Sequence, residues 1–115
     1  WGEHQGETLR REVAKFNLRQ NEAVAWAVQE NEMLHEPGQP DDHGGIEETS
    51  LIMAALPGRV DLARLPEREL SFKADGVLGE DPRKGASAEM GMEAAREYAR
   101  KAAERVRALL EEMNA

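Results

Sequence analysis

His43-Gly44-Gly45-Ile46-Glu47-Glu48-Thr49-Ser50 sets an imidazole, two glycines and a pair of carboxylates in one short turn that enters a helix. Glycine lets the backbone bend sharply and approach a ligand closely. A His and a Glu five residues apart converge on one point only if the chain turns between them, and Gly44-Gly45 permits that turn. Glu47 and Glu48 fall in the first helical turn, where the macrodipole favours negative charge. Two readings follow. One is a glycine turn ahead of an acidic helix N-terminus and nothing more. The other is a small constellation that holds a metal or moves a proton.

Working outward, Glu36-Pro37-Gly38-Gln39-Pro40-Asp41-Asp42 is a loop by composition and delivers the chain to His43. The helix that follows Glu47 stops at Pro57-Gly58. Earlier, Leu9, Val13 and Phe16 recur at helical spacing and predict a helix over Glu7 to Gln20. Val24, Trp26 and Val28 alternate with Ala23, Ala25 and Ala27, which suits a strand with one bulky face. Alanine is also a strong helix former, so a helix there stays open. Arg59 to Arg68 reads as irregular. Leu70 and Phe72, alternating with Ser71 and Lys73, suggest a short strand, and Gly76 to Gly85 a mobile turn region.

The last helix is the clearest element. Ser87 is its expected N-cap. Ala95, Ala99, Ala102, Val106, Leu109 and Met113 form one apolar stripe, read as packing on a sheet in preference to a short coiled coil. Glu97 and Lys101 make a favourable surface pair. Helix, strand, helix, strand, helix predicts an α/β architecture with helices covering a sheet. Two or three strands make a poor sheet alone, so the pattern implies strands supplied from elsewhere.

Composition narrows the function. Asp and Glu number 23 against 15 Lys and Arg, a formal net charge of −8. That argues against nucleic acid, whose nonspecific binding comes from neutralising phosphates with cationic side chains. It argues equally against an anionic membrane surface. There is no cysteine, hence no disulfide framework or thiolate metal site. No apolar run approaches transmembrane length, and no signal segment opens the chain. The expected setting is cytoplasmic.

The run His43 to Ser50 resembles the His-Ala-Gly-Glu-x-Glu-Thr-Ser signature of the creatininase (creatinine amidohydrolase) family, with Gly44 at the Ala and Ile46 at the first Glu. Leu51-Ile52-Met53-Ala54-Ala55-Leu56-Pro57-Gly58-Arg59-Val60-Asp61 is similar to the apolar helix, Pro stop and Val-Asp continuation of that family. Gly76-Val77-Leu78-Gly79-Glu80-Asp81-Pro82, followed by Ala86-Ser87-Ala88-Glu89-Met90-Gly91, is similar to its Gly-Val-x-Gly-Asp-Pro and Ala-Thr-x-x-x-Gly stretch. At the start, Gly2-Glu3-His4-Gln5-Gly6-Glu7 looks like a degenerate Asn-Gly-His-Gly-Gly-Asn.

The resemblance implies helices on a mostly parallel sheet, with residues 1–115 forming the C-terminal half of a creatininase-like three-layer α/β domain; the start at Trp1 rather than Met fits that expectation. It implies a zinc or manganese centre, dinuclear in the family, with His4 and Glu48 as metal ligands. His43 would be the general acid/base. A Glu-x-His pair and a bridging Asp would come from a complementary N-terminal segment or chain. The implied reaction is hydrolysis of a carbon–nitrogen bond in a small cyclic amide or formamide by a metal-bound hydroxide. Imidazole exchanges protons near neutral pH, which suits His43 to protonating the departing nitrogen.

Plainer readings stand beside these. His4 is also a terminal histidine, Trp26 a core residue in preference to a pocket wall, Glu47 decoration of the helix dipole, and Asp41 and Asp42 loop solvation or a local turn. Homo-oligomerisation is expected in either case, since an uncovered edge strand invites pairing. The alternative function is a noncatalytic acidic assembly subunit that keeps the fold.

Overall fold

The computed structural model describes residues 3–19, 21–36 and 38–115. Gly2 of the N-terminal motif, Gln20 at the expected end of the first helix and Pro37 of the expected loop lie outside them. Among the described residues five α-helices follow in order: α1 (Glu3–Arg19), α2 (Glu30–Leu34), α3 (Ile46–Ala55), α4 (Phe72–Asp75) and α5 (Ala88–Asn114). Single turns of 3-10 helix occupy Leu62–Arg64 and Pro82–Lys84. Among the described residues no helix is long and apolar enough to cross a membrane.

The expected α/β fold is not what forms. The described residues hold no sheet, and their strand-type pairing is the isolated antiparallel bridge between His43 and Leu78. Both predicted strands fail for local reasons. Val24 to Val28 carries no regular secondary structure, and the Asn17 side chain takes the place of a neighbouring strand. Its Nδ2 donates to the Ala25 carbonyl and its Oδ1 accepts the Ala25 N–H, both at 2.9 Å. Leu70 and Phe72 fail because the Ser71 hydroxyl accepts the Ala74 N–H at 3.3 Å and starts α4 instead. Gly76, with φ of 74°, then ends that helix in a left-handed cap.

The chain gathers into two compact units, one of residues up to His35 together with Tyr98–Ala115, the other Glu36–Glu97. In the first, the Gln29 side chain lies against the Gly6 backbone, Arg10 pairs with Glu32, and the Lys101 ammonium donates to the Met33 carbonyl at 2.6 Å. Met33 is buried there. Of the predicted α5 stripe, Ala102 and Leu109 are half-buried, while Ala95, Ala99, Val106 and Met113 stand exposed.

In the second unit, α3 crosses the first turns of α5 at very close range. Ser50, 1 % exposed, donates from its hydroxyl to the Ile46 carbonyl at 2.6 Å and accepts the Ser87 N–H at 3.0 Å. Gly91 lies over it: a Cβ built on Gly91 would stand 2.0 Å from the Ser50 carbonyl oxygen. Ser87 caps α5 as expected, its hydroxyl accepting the Met90 N–H at 3.1 Å. The segment before it is pinned by Arg83, whose guanidinium donates to the Pro66 and Arg68 carbonyls and pairs with Asp81.

Candidate functional site

The turn ahead of α3 is built from two stretches of the second unit. His43 and Leu78 exchange backbone hydrogen bonds at 2.8 and 2.9 Å, and the Ile46 N–H donates to the Glu80 carbonyl at 3.1 Å. Residues 78–80 therefore brace the glycine turn from the side. Gly44 takes a left-handed φ of 61°, so the bend expected at the glycine pair is present.

The bend brings the two central candidates together. His43 Nδ1 lies 3.6 Å from Glu48 Oε2, with both side chains about half exposed. That separation is beyond hydrogen-bond range, and becomes an ion pair when the imidazole is protonated. The same Glu48 oxygen accepts the Gly44 N–H at 2.8 Å. The His43 ring also meets Phe72 edge-on, with centroids 6.2 Å apart. Glu47 accepts from the Gln39 side chain at 3.2 Å, one turn-bracing contact beside its place in the first turn of α3.

His4 is placed elsewhere. It lies within α1, in the first unit, fully exposed, with its Nδ1 3.9 Å from Glu7. The described part of the N-terminal motif is thus ordinary helix. The Gln29 side chain lies where a Cβ at its Gly6 would stand.

Asp42, read from sequence as loop solvation or a local turn, bonds to the backbone of the helix that follows. Its Oδ2 accepts the Glu48 N–H at 2.9 Å. The N-cap of α3 is Gly45, which has no side chain to offer, so the cap comes from three residues earlier. The available signal was an Asp just upstream of a glycine in the N-cap place, with Glu at N3, a displaced form of the capping-box spacing.

Donor chemistry at the turn suits a borderline divalent ion, which takes imidazole and carboxylate ligands. A separation of 3.6 Å is also near what two ligands of one zinc ion span, given bonds of about 2.0–2.1 Å. The number of donors falls short. A catalytic zinc needs about three protein ligands, and among the described residues no group of three or more His, Asp or Glu side chains gathers. No family model, curated protein or solved structure matches the chain.

Proposed function

We propose that the unit Glu36–Glu97 supplies part of a divalent-metal hydrolase site acting on a carbon–nitrogen bond of a small cyclic amide or formamide. The observation that carries the reading is the approach of His43 to Glu48 across the glycine turn, at 3.6 Å, within a run that resembles a hydrolase signature. Glu48 would serve as a metal carboxylate and His43 as the proton donor to the departing nitrogen. A bound zinc or manganese ion would supply a hydroxide near neutral pH by acidifying its water. The remaining ligands, whether His4 or groups of a complementary segment or chain, would come from outside this turn. A cytoplasmic setting accords with a chain that has no cysteine.

His43 is half exposed and braced through its backbone by Leu78, so its ring meets solvent and substrate without disturbing the turn. General acid–base groups contribute about 100- to 10,000-fold. His43→Ala in the assembled, metal-loaded protein is expected to lower kcat by that order and to leave folding intact, as read by circular dichroism.

A second reading, a noncatalytic assembly subunit, is favoured by the exposed apolar side chains Val106, Leu110 and Met113 on α5. Native mass spectrometry of the protein from its source separates the two. Metal ions retained together with a second or longer chain support the hydrolase. A metal-free assembly of this chain overturns it in favour of the subunit.

A further inference from the structure

We infer that Asp42 is a positioning residue, which fixes the Glu48 carboxylate beside His43; the inference rests on, and deepens, the hydrolase reading. Two hydrogen bonds form a reciprocal clasp. Asp42 Oδ2 accepts the Glu48 N–H at 2.9 Å, and Glu48 Oε2 accepts the Gly44 N–H at 2.8 Å. In an ordinary capping box the N-cap side chain performs the first half of this exchange and the N3 Glu the second. Here the N-cap is Gly45, and the task passes to Asp42, so the clasp spans the whole turn and closes around His43.

The glycines on either side are shaped to the Asp42 carboxylate. A Cβ at Gly45 would stand 2.1 Å from Asp42 Oδ1, and one at Gly79 would stand 2.9 Å from the same atom. Two separate stretches, 43–45 and 78–80, thus leave room for one oxygen. A capping side chain at position 45 has no room, since a Cβ there would also stand 2.9 Å from the Glu80 carbonyl oxygen, so the cap is supplied from residue 42. Moving the cap to residue 42 leaves the N-cap without a side chain and leaves the Glu48 carboxylate bound at one edge by a backbone N–H. That carboxylate then has a fixed direction relative to the imidazole.

The test uses the full chain and two readouts, one of them independent of metal. Amide exchange measured by NMR at Gly44 and Glu48 reports the clasp, and chemical-shift change of the His43 ring on titration with Zn²⁺ alone reports the site. Asp42→Ala is expected to speed exchange at both amides by about three- to tenfold and to weaken the zinc response of His43 by a similar factor. Asp42→Asn, whose side-chain oxygen still accepts the Glu48 N–H, is expected to restore both. If the alanine variant fails to fold, Asp42→Glu, which keeps the charge and displaces the acceptor, is expected to speed Gly44 exchange. Wild-type exchange rates in Asp42→Ala or Asp42→Glu overturn the positioning role. In the assembled protein, a wild-type His43 ring that ignores zinc overturns the hydrolase reading, while the exchange rates still decide the role of Asp42.

Discussion

Asp75 shows how far one side chain can shape its segment. Its two oxygens meet the Arg68 guanidinium at 2.7 and 2.8 Å, and one also accepts the Ser71 N–H at 2.9 Å. The Arg68 hydrogen bonds, helped by that from Ser71, hold its carboxyl well below the usual range, at about 2. The unfolded carboxyl titrates near about 3.9. Because the folded value is the lower one, the group favours the folded segment fully above about pH 4, and the contribution fades as pH falls towards 2. A side-chain carboxyl titration by NMR should place Asp75 near the lower value. Arg68→Ala should raise it towards the ordinary range without reaching it, since the Ser71 N–H remains. A midpoint near 4 in the wild type would show that the Arg68 fork is not held in solution.

At the scale of elements, the contact of α3 with α5 is the most exacting. No side chain at 91 fits, because the Ser50 carbonyl occupies the space a Cβ would need. Gly91→Ala is therefore expected to force the helices apart and to cost about 1–3 kcal/mol, read as a lower urea midpoint. Ser50→Ala leaves the Ser87 N–H without its acceptor, at about 1–3 kcal/mol. The helices that meet here were legible: the Pro57-Gly58 stop and the Ser87 cap are local signals, and local forces decide helix ends. The strands were not. Alternation at Val24 to Val28 states which residues suit a pleated surface but not whether a partner exists, and Asn17 supplied the hydrogen bonds a partner would have made. At Leu70 to Phe72, the cap at Ser71 outweighed a two-residue alternation. In the candidate site, the glycine bend and the His43–Glu48 convergence followed from spacing alone. The expected start of the first helix at Glu7 came late, since from Glu3 onward the chain is helix α1 and His4 lies within it. The capping by Asp42 was not read because its partner is a backbone N–H six residues on, and the displaced capping-box spacing is its one signal.

For the molecule as a whole, burial and charge pull against each other. Among the described residues the large apolar side chains that are buried are Met33 and Ile46, while Leu9, Phe16, Val106, Leu110 and Met113 stay exposed. Assembly is the direct way to cover what the units leave open, and it makes apparent stability depend on concentration. The net charge of −8 opposes like-with-like contact, so self-association should strengthen as salt screens that repulsion over a Debye length of about 10 Å at 0.1 M. On α5, Val106 and Leu110 sit four residues apart with both side chains exposed, on the same face of the helix. Light scattering on the wild-type chain should show a mass above the monomer that rises with protein and salt concentration. Replacing Val106 and Leu110 together by Glu should return it to the monomer and make its helicity independent of concentration. A wild-type chain that stays monomeric and cooperatively folded on dilution would show that the helices hold without a partner, and would remove the support that the exposed face of α5 lends to an assembly subunit.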